Sequence, residues 1–306
     1  MIQKIKENIE NYFVGKEEVI ENLLICLLAG GHVLFEDVPG VGKTTLARTL
    51  SNTIDATFGR IQFTPDTLPS DVTGVSVYNS GNGKFEYREG AVMKQIVLAD
   101  EINRTSPKTQ AALLEAMCEG QVTVDGEKHL LPEEFMVIAT QNPVEFLGTY
   151  PLPEAQLDRF MMRLSIGYPD PASEVKMARN MLEGKTLESV KSVCNVEDIL
   201  SLKKEVREVK VSDKVLEYID EIVNLTRKAP EFVLGASPRA MLSLVMASKA
   251  KAFLAGRNYV KPDDVKAVSV NVFHHRMTLS SEAKIRKESV DRVLTALILK
   301  ARVPLE

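Results

Sequence analysis

The spacing of apolar residues divides the chain into two regimes. The first residues, Met1-Ile2-Gln3-Lys4-Ile5-Lys6-Glu7-Asn8-Ile9, repeat Ile at helical spacing and predict an amphipathic helix over 1–11. Val14-Gly15 breaks it, and a second helix is expected from Lys16 to Ala29. Short apolar runs at 32–35, 60–64, 95–99, 135–140 and 161–166 then predict buried strands. Helical patterns lie between several of them. The clearest spans Pro107–Glu119, with Ser106 as N-cap, Pro at the first helical position and Gly120 beyond the end. Alternating strands and helices predict a parallel sheet covered on both faces. After Tyr168-Pro169-Asp170-Pro171 the strand-like runs stop and helical periodicity dominates. The expected division is an α/β core over 1–168 and a smaller, all-helical domain over 169–306.

Two pieces interrupt the alternation. Residues 70–92 carry four glycines and β-type runs at 75–78 and 84–87, and so predict an inserted hairpin. Residues 120–131 predict a second one, turned by Asp125-Gly126.

Bulk properties narrow the field. The 306 residues are 44% hydrophobic, 26% charged and 6% aromatic, without Trp, as in a soluble globular protein. A net charge of −4 supplies no global field toward nucleic acid or an anionic membrane. Cys26, Cys118 and Cys194 are widely spaced and read as reduced thiols, and the four histidines form no ligand cluster. His274 and His275 are adjacent and would diverge on a helix. No apolar run reaches bilayer length, and the N-terminal helix carries acids and repeats Ile at helical spacing, unlike a signal peptide. A cytoplasmic, reducing location is the expectation.

Three motifs carry chemistry. The first is Glu36-Asp37-Val38-Pro39-Gly40-Val41-Gly42-Lys43-Thr44-Thr45, between a predicted strand and a helix periodic through Leu46, Ala47 and Leu50. It is a phosphate-binding loop. Gly40 and Gly42 let the backbone wrap a polyphosphate with its N–H groups inward, and the helix adds its positive end. Lys43 would reach the β- and γ-phosphates, and the Thr44 hydroxyl would ligate Mg²⁺. Asp37 stands where the general pattern asks for Gly. Its carboxylate would repel a triphosphate unless turned away.

The second motif is Ile96-Val97-Leu98-Ala99-Asp100-Glu101, an apolar strand ending in two carboxylates. Running beside the strand that feeds the phosphate loop, it would bring Asp100 to Thr44 and the metal, with Glu101 polarising a water. The third, Val137-Ile138-Ala139-Thr140-Gln141-Asn142-Pro143, delivers Asn142 at a strand end to hold that water or touch the γ-phosphate. An Asp-Glu pair also suits a solvated turn, and Asn-Pro a plain one.

With Ala99–Arg104, Ala139–Pro143, Pro153–Phe160 and Gly235–Ala240 added to the phosphate loop, nearly the whole chain resembles the MoxR-type AAA+ ATPases. The resemblance implies an AAA+ core followed by a helical lid, with ATP or ADP and Mg²⁺ bound. Residues 39–45 (Pro39, Gly40, Val41, Gly42, Lys43, Thr44 and Thr45) would form the Walker A nucleotide cradle. Asp100 and Glu101 would form Walker B, and Asn142 sensor 1. Thr44 and Asp100 would hold the metal, and Val14-Gly15 would lay backbone against adenine. Arg159 matches the arginine finger that reaches a neighbour's γ-phosphate, and Arg239 matches sensor 2 on the lid. The two hairpins match the helix-2 insert and the pre-sensor-1 hairpin, which face the central pore.

Arginine suits such roles because its fork of donors spreads over a dissociating phosphoryl group. An ion pair of Arg159 with Asp158 or Glu154, or a lid–core contact of Arg239, is the structural alternative. Arg104 and Arg163 are further interface candidates. The family implies a ring, a hexamer, that matures or activates a partner protein, often one with a von Willebrand factor A domain. A nucleic-acid motor or loader, a metal-chelatase motor subunit and a nucleotide-gated scaffold stand beside that reading. The hairpin tips 79–84 and 125–128 carry little net positive charge for a nucleic-acid partner.

Overall fold

The computed structural model describes residues 1–142 and 148–304, so Pro143 of the third motif lies outside the described residues. In chain order the elements are α1 (Ile2–Tyr12), α2 (Glu17–Leu28), β1 (Val33–Glu36), α3 (Lys43–Thr53), β2 (Phe58–Gln62) and α4 (Pro69–Thr73). Next come β3 (Gly74–Asn79), β4 (Lys84–Glu89), β5 (Ile96–Asp100), α5 (Pro107–Glu119), β6 (Gln121–Val124), β7 (Glu127–Leu130) and β8 (Met136–Gln141). The rest are α6 (Glu154–Leu157), β9 (Met162–Leu164), α7 (Pro171–Leu182), α8 (Val196–Glu208), α9 (Asp213–Lys228), β10 (Phe232–Leu234), α10 (Pro238–Leu254), α11 (Pro262–Phe273), β11 (Thr278–Leu279), α12 (Ser281–Ile285) and α13 (Val290–Lys300). They fall into two compact units: residues 1–21, 32–152 and 165–200 form the first, and residues 22–31, 153–164 and 201–306 the second.

Four parallel strands of the central sheet lie in the first unit, in the order β2-β5-β8-β1. Every residue of Val33–Phe35, Ile96–Ala99 and Met136–Ala139 is buried, as continuous apolar runs in a covered parallel sheet should be. The register aligns the strand ends: Glu36 opposite Gln141, Ala99 opposite Ala139, Gln62 opposite Asp100. All three motifs therefore open at one edge of the sheet, the carboxyl end where ligands bind in such folds. The order corrects one expectation. The strand ending in Asp100 does not run beside the one feeding the phosphate loop, because β8 lies between them.

Local turn chemistry set several boundaries. Ser106 accepts a hydrogen bond from the Thr109 N–H, Pro107 opens α5, and Gly120 closes it in the left-handed region. The hairpins form at β3–β4 and β6–β7, and Asp125 and Gly126 both take the positive φ that a tight two-residue turn requires. Tyr87 of β4 stacks on His129 of β7 with ring centroids 3.7 Å apart, so the hairpins touch.

The second unit is helical around Tyr218, Ile219, Ile222, Leu244 and Phe273, all nearly fully buried. One short antiparallel pair, β10–β11, departs from the all-helical expectation. No described helix is long and apolar enough to cross a membrane.

His275 is buried here, and its Nε2 lies 3.0 Å from the Phe160 carbonyl, which fixes the proton on that nitrogen. Burial first, and the Arg276 charge second, push its pKa well below the ordinary imidazole value. The folded state holds this ring neutral, whereas the unfolded chain takes up a proton below about pH 6.5. Stability is therefore fully present above that pH and falls on acidification, by at most about 1.4 kcal/mol per pH unit from this group. In urea titrations between about pH 7 and pH 5, His275→Gln should flatten the slope; an unchanged slope would assign it to other groups.

Candidate nucleotide-binding site

The loop after β1 is shaped by two glycines in the left-handed region, Gly40 (φ 84°) and Gly42 (φ 93°). Gly42 caps α3 without a side-chain hydrogen bond, which leaves the first-turn N–H groups to an anion. Two cavities of the first unit share Gly40 and Gly42. One, about 330 Å³, has Pro39, Lys43, Thr44, Asp100, Glu101 and Asn142 among its lining residues. The other, about 440 Å³, has Val14, Val41, Thr45, Tyr168, Glu174 and Met177 among its own. A polar chamber and a more apolar one on either side of a phosphate loop suit a nucleotide's phosphates and its base.

Asp37 resolves the departure from the general loop pattern. Its carboxylate is 6% exposed and turned away from the loop. It accepts hydrogen bonds from Ser165 Oγ (2.8 Å), the Ile166 N–H (2.6 Å) and the Gly167 N–H (3.1 Å). Its backbone carbonyl accepts from Lys43 Nζ at 2.9 Å. Burial lowers the Lys43 pKa, and the carboxylates of Asp37, Asp100 and Glu101 partly oppose that shift. A phosphate beside the ammonium would favour its charged form and oppose the shift further.

One hydroxyl organises the acidic motif. Thr140 Oγ1 donates to Asp100 Oδ1 at 2.7 Å and accepts the Glu101 N–H at 2.9 Å. Arg60 donates to Asp100 Oδ2 at 2.7 Å, and Gln62 Nε2 and Arg104 each donate to Glu101 Oε2 at 3.0 Å. Glu101 sits at φ 59°, ψ 48°, a left-handed conformation rare for a side-chain-bearing residue. Asn142 is buried, and its carbonyl accepts a long 3.4 Å bond from Asn103. Thr140, Arg60 and Gln62 escaped the sequence reading. Their signals were a hydroxyl ending an apolar run and polar residues at alternate positions of a short strand.

Val14 lines the larger cavity beside the glycine loop. Gly15 (φ 78°) has no room for a side chain, since a Cβ would stand 2.1 Å from Ser173 Oγ. Lys16 Nζ donates to the Tyr168 carbonyl at 2.8 Å, so segments 12–16 and 165–173 are fastened together along that cavity.

Arg159 and Arg239 belong to the second unit. Asp158 is taken by Arg276 (2.7 Å) and by Ser237 Oγ, so it does not pair with Arg159. Among the described residues the Arg159 side chain makes no hydrogen bond or ion pair, and Arg239 is exposed in the first turn of α10. Arg163 is half-buried on β9. Arg104 lies at Glu101, inside the site itself.

Among the described residues no three His, Cys, Asp or Glu side chains converge to hold a metal. The donors present, a hydroxyl at Thr44 and a carboxylate at Asp100 lining one cavity, fit Mg²⁺, which uses few protein ligands and completes its shell with phosphate and water.

A glycine-shaped anion cradle with a lysine, two strand-end carboxylates and a buried asparagine defines a P-loop nucleotide-binding protein. Residues 32–162 match the ATPase family associated with various cellular activities (AAA), and residues 224–297 match the AAA lid domain. YeaC of Bacillus subtilis is 49% identical across 100% of the chain and 96% of its own length. Chaperone MoxR1 of Mycobacterium tuberculosis is 38% identical across 97% of the chain and 80% of its own. A crystal structure of a Cytophaga hutchinsonii protein superposes with a TM-score of 0.92 at 39% identity, covering 99% of this chain and 95% of that one. The chain belongs to the MoxR family of AAA+ ATPases.

Asp37→Gly would restore the glycine of the general loop pattern, yet it should destabilise the protein. Three donors would lose their buried acceptor, at a cost of about 1–3 kcal/mol each before relaxation or water entry. Denaturant midpoint and nucleotide affinity should both fall. A variant as stable as the parent would show that Asp37 is no anchor.

Proposed function

We propose that the protein is an Mg²⁺-dependent ATPase that hydrolyses ATP to ADP and phosphate within a closed ring of identical subunits, a hexamer. The observation that carries this reading is the cavity lined together by Lys43, Thr44, Asp100, Glu101 and Asn142. Backbone N–H groups of residues 40–45, in the loop that Pro39 enters, and Lys43 cradle the phosphates, while the backbone at Val14 and Gly15 borders the adenine. Thr44 and Asp100 would hold Mg²⁺, which would supply positive charge to offset that of the phosphates. Glu101 accepts the proton of the attacking water, and Asn142 orients that water or the γ-phosphate. Arg159 completes the neighbouring subunit's site, and Arg239 senses nucleotide from the lid. A division into core 1–168 and lid 169–306 fits the task, since ATP-driven lid movement would displace the two pore hairpins.

The product of that motion is remodelling of a partner protein in the cytoplasm, and a partner with a von Willebrand factor A domain is the family's suggestion. The chaperone naming of the Mycobacterium tuberculosis relative supports the first part of this reading.

Glu101→Gln should lower kcat by about 100-fold or more while nucleotide stays bound and the ring becomes more stable in size-exclusion chromatography. Steady-state turnover equal to that of the parent would remove Glu101 from its role. Turnover per subunit should also climb with protein concentration and then plateau, because each site needs a neighbour. A rate independent of concentration in a chain that sizes as a monomer would sink the shared site.

A further inference from the structure

Arg159 follows α6, a helix of one turn that cannot hold its own position in isolation. Its place is set by Arg276, which is 3% exposed. The Arg276 guanidinium donates from Nε to Asp158 Oδ1 (2.7 Å), from Nη2 to the carbonyls of Asp158 (3.2 Å) and Phe160 (2.7 Å), and from Nη1 to the Met161 carbonyl (3.1 Å). It thus grips the backbone on both sides of Arg159, whose side chain pairs with none of the described residues. Nη1 also reaches the Val272 carbonyl, and Nη2 the Ser243 hydroxyl at 3.4 Å, which ties the segment to α11 and α10. Asp158 extends the network. Both its oxygens accept from Ser237 Oγ at 3.0 Å, and Ser237 caps the helix on which Arg239 stands.

A buried guanidinium facing a single carboxylate is an expensive way to fill a core. Desolvation cancels much of the attraction, and an apolar side chain of similar volume would often serve stability as well. A planar fork of five donors can, however, fix several carbonyls at once. We infer that Arg276 is a positioning residue for the reaction: with Asp158 it forms a rigid pedestal that presents Arg159, and through Ser237 the helix bearing Arg239, to the phosphates of a neighbouring subunit's nucleotide. This rests on the proposed role of Arg159.

The test is ATP turnover of the full chain, followed by radiolabelled phosphate release long enough to measure slow variants. Asp158→Asn, which keeps shape and the Ser237 contact, and Arg276→Lys should each lower kcat about tenfold or more with KM for ATP within about twofold, because the cradle lies elsewhere. In an Arg159→Ala, Arg239→Ala background the same substitutions should add less than about a twofold loss, since both groups they position are gone. Losses that multiply in that background, or an undiminished kcat in Asp158→Asn, would overturn the inference. Should Arg276→Lys fail to fold, Asp158→Asn carries the comparison, with thermal melting as its control. Failure of the underlying reading looks different: Arg159→Ala alone would then turn over at the parental rate.

Discussion

The architecture of the first unit depends on one buried carboxylate. A loop that must offer unpaired N–H groups to an anion has little to hold it closed when empty. Asp37 supplies what the loop's own backbone cannot. Its side chain captures Ser165, Ile166 and Gly167, and its carbonyl holds the Lys43 ammonium. The same clasp places Ile166 to Pro169 along the larger cavity, where Lys16 fastens the opposite side. Phosphate loop, lysine and the larger cavity thus share one anchor. The residue that looked like a defect in the motif is turned to a use that glycine could not serve.

Thr140 plays the corresponding part for the acidic end of the site. The strand order puts β8 between the phosphate loop's strand and the carboxylates, so a side chain from β8 is the natural bridge. Its hydroxyl donates to one acidic residue and accepts from the backbone of the next. A Val here would pack as well and leave both unguided, which is why an otherwise apolar strand ends in a hydroxyl.

Much of this was legible because it is local. The bounds of α5 follow from a Ser, a Pro and a Gly at fixed offsets, and the phosphate loop from glycines between a strand and a helix. Both hairpins could be read from turn chemistry. What escaped is long-range. Asp37 meets its partners 128 to 130 residues away, and no local pattern announces that pairing. Strand order is equally invisible to periodicity, which reports burial of a segment but not its neighbour. The β10–β11 pair is two and three residues long, below the length at which alternation can be recognised. The pedestal beneath Arg159 joins residues 115 to 118 positions apart, and a lone Arg after two histidines gave no hint of it.

The backbone at Glu101 carries a consequence for how this protein can change. A left-handed conformation costs a side-chain-bearing residue roughly 1–2 kcal/mol, and Gly or Asn would occupy it with less strain. Selection for thermal resistance alone would therefore favour replacing the carboxylate at the centre of the acidic motif. Variants with Gly or Asn at this position should prove hardier wherever stability is the only demand. The strain retained at Glu101 is a cost that stability alone does not explain.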